Sequence, residues 1–144
     1  MRTDPEHIRD LFRMHDLRCT HQREIVYAGL SAANLHPTAE ELYQNLHAQD
    51  PNISLATVYN TLDLLQDVGL VRRIPSTGAC RFDAITVPHV HVSMPDGSVV
   101  DAPDDLSERL LAALSPDVLR EIESRMGIKV SGLSVQVAAR RPEA

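Results

Sequence analysis

Two capped amphipathic segments in tandem constrain this chain most. In "HPTAEELYQNLH", Thr38 is followed three residues later by Glu41. In this S/T-x-x-E pattern the hydroxyl and the carboxylate each satisfy a backbone N–H at a helix start. Leu42 and Leu46 repeat at i, i+4 and give the segment one apolar stripe. Pro51-Asn52 then breaks the chain and Ser54 supplies a second cap. The helix that follows places Leu55, Val58, Leu62 and Leu65 on one face, turns Ala56, Thr57 and Asn60 largely away, and ends at Gly69. Two short strand-like runs come next, "LVRRI" and "ACRFD", joined by Pro75-Ser76-Thr77-Gly78. Helix, turn, helix and β-hairpin in that order predict a winged helix-turn-helix, with the helix from Ser54 as its reading element.

Two more helices precede this pair. "PEHIRDLFRMH" spaces Ile8, Leu11 and Phe12 at i, i+3, i+4, and Thr20 caps "HQREIVYAGLSAA", with Ile25, Val26 and Leu30 apolar. After Asp83 the texture changes. A hairpin over about 89–101 is expected, then a helix in "DDLSERLLAAL" and another begun by Ser115-Pro116, cap and first-turn proline in their preferred order. "IKVSGLSVQVAA" reads as a last strand or strand pair. The expected fold class is therefore α+β, an N-terminal winged helix-turn-helix domain over residues 1–83 and a small α/β domain over 84–144. The second part is too short to bury its apolar face alone, so a homodimer is expected.

Composition narrows the function. The chain has 144 residues, 43% of them hydrophobic, which suits a packed core, and no apolar run long enough to cross a membrane. The start, "MRTDPEHIRD", is charged rather than apolar and does not read as a secretory signal. Cys19 and Cys80 form no C-x-x-C pair, so neither a disulfide framework nor a thiolate zinc site is indicated, and the cytoplasm is the expected compartment. A net charge of −6 weighs mildly against nucleic acid as a partner, and residues 1–83 alone hold 8 Arg and no Lys against 11 Asp and Glu. Placement matters more than the total. Arg13, Arg18 and Arg23 fall around the second helix, and Arg72, Arg73 and Arg81 on the wing. Scattered arginines ordinarily make a solvated face; in a winged-helix setting they are candidate phosphate contacts. Thr57, Tyr59 and Asn60 are candidates for base edges, since Asn can pair with adenine and a Thr methyl or Tyr ring can meet a thymine methyl. Tyr59 also has the alternative of a half-buried core position.

One stretch, "PHVHVSMPDGSVVD", carries separate chemistry. Residues two apart on a strand point to one side, so His89 and His91 share a face. Pro95-Asp96-Gly97 suits a three-residue turn with Gly in the left-handed position. That turn sets Met94 against Ser98 and, counting back, His91 against Asp101. Directly opposed residues have Cβ atoms roughly 4.5–5.5 Å apart, so two imidazoles and a carboxylate are presented together. Read alone, solvated polar groups on an exposed strand are the commoner explanation, and half of a metal site is the sharper one.

The segments "LRCTHQREIVYAGL", "HPTAEELYQNL" and "PNISLATVYNTLDLLQDVGLV", continued by "RFD", "HVH" and "GSVVD", resemble the ferric uptake regulator family of metal-responsive repressors. The resemblance covers nearly the whole chain in order, is most specific from His36 to Val71, and is loose in the C-terminal tail. It implies a regulatory metal site made of His36, Asp83, His89, His91 and Asp101. Without it, His36 beside Pro37 reads as a linker residue and Asp83 as a solvated strand end. Three nitrogens, two carboxylates and no thiolate favour Fe(II), Mn(II) or Zn(II). It also implies operator DNA as the partner, Arg18 as a candidate for the minor groove, and Arg23 with Thr57, Tyr59 and Asn60 as further DNA contacts.

Two departures from the family pattern matter. The C-x-x-C pair usual after the His-x-His strand is replaced by the shorter "SMPDG", and the tail "SVQVAARRPEA" lacks the second pair, so no structural zinc is expected. Asp83 and Asp101 stand where iron-uptake members commonly carry glutamate, and with Asn60 they resemble the peroxide-sensing branch. That branch implies a bound Fe(II) and oxidation-sensitive His36 and His89. The expected function is thus a metal-dependent transcriptional repressor and not an enzyme. The competing readings are an iron-, manganese- or zinc-responsive uptake repressor, a non-haem metalloenzyme using two His and a carboxylate, and a DNA-binding module governed by haem or a partner protein. No substrate-cavity signal, nucleophile motif, phosphate loop or haem motif supports the last two.

Overall fold

Cap chemistry decides where the helices begin. The computed structural model describes residues 4–33, 35–85 and 87–143, in two compact units, Met1–Thr86 and Val87–Ala144. In the first unit, α1 (Pro5–Met14) starts on a first-turn proline, and α2 (His21–Ala32) starts where the Thr20 hydroxyl accepts from the Arg23 N–H. α3 (Ala39–Gln49) opens with both arms of the capping box, Thr38 to Glu41 and back. α4 (Leu55–Asp67) is capped by Ser54, which accepts from the Thr57 N–H, and gives way to Gly69 at φ +84°.

The four helices bury one core. Ile8, Phe12, Val26, Leu30, Leu42, Val58, Leu62 and Leu65 are all buried within it, and the Phe12 ring meets the edge of Tyr27 at 5.8 Å between centroids. On α4 the inward set is Val58, Thr61, Leu62 and Leu65; Leu55, expected inside, is only partly covered. Leu55 is the first residue of α4, where the stripe has not yet turned fully inward. The wing follows as an antiparallel pair, β1 (Arg72–Ile74) with β2 (Arg81–Asp83), and buried Phe82 ties β2 to the core.

The second unit holds a three-stranded sheet of order β4-β3-β5, made of β3 (Val90–Ser93), β4 (Val99–Asp101) and β5 (Val135–Ala138). The hairpin has the expected register, His91 opposite Asp101, with the Met94 N–H donating to the Ser98 carbonyl and Gly97 at φ +89°. Asp96 closes the turn by accepting from both the N–H and the hydroxyl of Ser98. Only one strand forms in the last segment, and it pairs with β3 in parallel. α5 (Asp104–Ala112) and α6 (Pro116–Met126) lie between β4 and β5 in sequence. Ser115 precedes α6 as expected, yet its side chain makes no capping bond, so the first-turn proline sets that start instead.

Candidate metal centre and nucleic-acid interface

In the first unit, the strand that ends the wing is stitched to the segment that leads into α3. The Phe82 N–H donates to the Pro37 carbonyl, Thr38 and Arg81 form an antiparallel bridge, and Arg81 Nη1 donates to the His36 carbonyl at 2.9 Å and to Glu41 at 3.2 Å. This stitching lays His36 beside Asp83. His36 Nδ1 stands 3.7 Å from Asp83 Oδ1, both side chains are buried, and the same oxygen accepts from the Ile85 N–H. A carboxylate withdrawn from water needs a positive or donating partner, and an imidazole or a shared cation meets that need.

In the second unit, the hairpin register brings His89, His91 and Asp101 together. Asp101 Oδ1 lies 3.2 Å from His89 Nε2 and 3.6 Å from His91 Nε2, and the two rings are 4.4 Å apart. His89 Nδ1 is 2.7 Å from the Val87 carbonyl. A carbonyl only accepts, so Nδ1 is the donor in this contact, and Nε2 is turned toward Asp101. A ring nitrogen facing a carboxylate oxygen calls for a proton or a metal ion between them. The donor sets of both units, imidazole nitrogens with carboxylate oxygens and no sulfur, suit Fe(II), Mn(II) or Zn(II).

Sequence reasoning missed two supports of these groups. Ser107 of α5 is buried, and its hydroxyl accepts from the Val90 N–H at 2.7 Å, fixing the strand between the two histidines. Nothing in "DDLSERLL" distinguishes this serine from a solvent-facing one. Arg81, read as a wing residue for phosphate, is instead half-buried and spends its guanidinium on His36 and Glu41.

The exposed side of α4 carries Ala56, Tyr59, Asn60 and Asp63. The Thr57 hydroxyl bonds to the Ser54 cap at 2.8 Å, and the Tyr59 hydroxyl donates to Glu40 at 2.7 Å. A polar cleft of about 340 Å³ runs between Thr20, Gln22 and Arg23 at the start of α2 and Thr57 and Asn60 on α4. Arg18 is exposed, and its carbonyl accepts from Arg23 Nη1 at 2.9 Å. Arg13 and Arg73 are paired with Asp10 and Asp63. Of the candidate DNA contacts, Arg23, Thr57 and Asn60 line this cleft, while Tyr59 turns to Glu40 on α3.

Comparison with known proteins gives the chain's family. Residues 14–127 match the ferric uptake regulator family. The peroxide-responsive repressor PerR of Staphylococcus saprophyticus is 42% identical over 91 residues, which is 62% of this chain and 62% of that protein. The chain therefore spans under two thirds of the length of the curated relatives it matches. Among solved structures, the ferric uptake regulator from Pseudomonas aeruginosa with manganese aligns with a TM-score of 0.70 at 26% identity, covering 94% of this chain and 98% of that one. The Campylobacter jejuni peroxide stress regulator aligns with a TM-score of 0.65 at 26% identity, covering 96% of each. Both alignments run over nearly the whole chain and share its α+β fold. By sequence match and by fold, this chain belongs to the ferric uptake regulator family.

Proposed function

We propose that the protein is a metal-dependent, DNA-binding transcriptional repressor of the cytoplasm, active as a homodimer, and that it senses peroxide through a bound Fe(II). The observation that carries this is the pair of His–carboxylate groups, one in each unit, in a family of regulators. Family membership removes the metalloenzyme reading. In the proposal, residues 1–83 bind DNA and residues 84–144 dimerise and sense metal. His36, Asp83, His89, His91 and Asp101 hold one divalent ion per subunit, so loading couples the ligands of one unit to those of the other. Coupling free energies of this kind are typically about 1–3 kcal/mol. Arg18 and Arg23 meet phosphate or minor groove, and Thr57, Tyr59 and Asn60 meet base edges. No structural zinc is required, because the positions that would hold it carry no cysteine.

Fe(II) held by these residues would activate peroxide, as Mn(II) and Zn(II) would not under the same conditions, and one peroxide reduced to water balances the two-electron oxidation of one imidazole. By likeness to the peroxide-sensing branch, His36 and His89 are the side chains we expect to be oxidised. An imidazole that gains oxygen at its C2 carbon becomes 2-oxo-histidine and loses donor strength, and the loosened ligand set lets DNA go. The peroxide branch is supported by relatives named peroxide-responsive repressors and by aspartate at residues 83 and 101. Ferric and manganese uptake regulators of the same fold support a second reading, metal sensing without peroxide.

One experiment separates the two. Duplexes selected from a random pool by the metal-loaded protein are bound with Fe(II), Mn(II) or Zn(II), before and after a brief peroxide pulse. The Fe(II) protein is expected to release DNA and gain one oxygen on a histidine; the Mn(II) protein and Asp101→Glu are expected to do neither. An Fe(II) protein that stays on DNA with its histidines intact leaves the uptake-repressor reading. His89→Ala with His91→Ala should abolish the metal response in a folded protein, and a persisting response would sink the ligand assignment.

A further inference from the structure

The outward side of α4 holds an aromatic residue that is tethered. Tyr59 is 38% exposed, yet its hydroxyl donates at 2.7 Å to Glu40 Oε1 in the first turn of α3. A bond between a phenol and a carboxylate is a strong one of its kind. The anchor is itself fixed. Its neighbour Glu41 closes the capping box with Thr38 and accepts from Arg81, which also holds the His36 carbonyl. The Glu40 carboxyl is held below the usual carboxylate range, first by the Tyr59 hydroxyl and then by its own backbone N–H. The Tyr59 phenol is pushed up, first by Glu40 and then by desolvation, so it stays a donor.

An anion here has a cost that needs a reason. α4 contains no Lys or Arg, and residues 1–83 carry more acid than base. Four of the arginines are paired with carboxylates, Arg9 with Glu24, Arg13 with Asp10, Arg73 with Asp63 and Arg81 with Glu41. Attraction to phosphate, which dominates non-specific binding, is therefore weak at this surface, and a further carboxylate weakens it more. What Glu40 provides in return is pose. A tyrosine on an exposed helix face has two free side-chain torsions, and freezing them on binding costs entropy. The tether freezes them beforehand.

We propose that Glu40 is a positioning residue for base reading, which holds the Tyr59 ring in one pose on α4 and thereby sets the base that the ring meets. This rests on the reading of α4 as the DNA-reading helix. It assigns to the first turn of α3 a role in sequence preference rather than only in packing.

The test is selection from a pool of random duplexes by the full-length, Mn(II)-loaded protein, compared across Tyr59→Ala, Glu40→Ala, Glu40→Gln and the double alanine variant. Tyr59→Ala should erase preference at a small set of positions. Glu40→Ala should lower preference at those same positions by about tenfold, the order of one good base contact, and should add nothing to Tyr59→Ala. Glu40→Gln keeps an amide oxygen for the phenol, so it should keep the consensus while binding all duplexes a few-fold more tightly. A Glu40→Ala consensus equal to wild type would overturn the proposal, as would a loss spread evenly over all positions. If the wild-type protein selects no consensus at all, the reading of the protein as a DNA-binding repressor falls first and this proposal with it.

Discussion

At the scale of single residues, the side chains that hold other side chains matter most. Ser107 is 4% exposed and is the acceptor for the Val90 N–H, between His89 and His91. Ser107→Ala leaves that N–H without its partner, a loss of about 1–3 kcal/mol. Loss of a residue behind a metal ligand typically lowers metal affinity by about 10–100-fold. Both effects are expected, in a chemical melt of the metal-free protein and in a Mn(II) titration; an unchanged melting curve would show that another group takes over the N–H. The hairpin histidines and Asp101 were legible in the sequence because strand alternation and a recognisable turn fix their geometry locally. Ser107, Arg81 and Glu40 were not. Their partners are Val90, the His36 carbonyl with Glu41, and Tyr59, all distant in sequence. No local rule connects such pairs.

Elements were read well where caps and turns punctuate them. Thr20, Thr38 and Ser54 each start a helix by accepting from the backbone N–H three residues on. The last strand was harder, since apolar alternation across "IKVSGLSVQVAA" does not say which partner it joins; β5 is settled by parallel pairing with β3. The hairpin offers a direct check on an element. Gly97 sits at φ +89°, where a β-branched side chain is strained. Gly97→Val should cost about 1–2 kcal/mol and loosen the His91–Asp101 register, read as a lower melting temperature and weaker Mn(II) binding. Gly97→Asn, which tolerates the left-handed region better, should recover most of both. If Val and Asn behaved alike, turn strain would not be what holds the register.

For the whole molecule, the second unit leaves much apolar surface in water. Leu106, Leu110, Val118, Ile122 and Met126 on α5 and α6, and Val137 on β5, are all more than a third exposed. On α6, Val118, Ile122 and Met126 follow one another at i, i+4, i+8 and line one pocket, and an exposed apolar stripe of this kind on a small domain marks an interface. The homodimer proposed above would cover it. Val118→Asp with Ile122→Asp should convert the protein to a monomer in sedimentation while α4 and its caps stay intact by circular dichroism. Native mass spectrometry after mild chelation should show the wild-type dimer free of zinc. A chelator-resistant zinc would overturn the expectation that no structural zinc is needed, and a dimer indifferent to both aspartates would place the interface elsewhere. The need for an interface was legible from length and apolar content, whereas its candidate surface, an α6 with no buried residue, shows only in the structure.

The central place of β3 has a consequence for how the protein is born. Its hairpin partner, β4, is synthesised a few residues after it, and its parallel partner, β5, only after two helices have been made. Short loops close far more readily than long ones. On a ribosome, His91 would meet Asp101 while Val135 is still unmade. For that interval β3 is an open edge, able to pair with any stray strand. A pause in translation after β4 would therefore expose nascent chains to one another at the strand that carries the imidazoles.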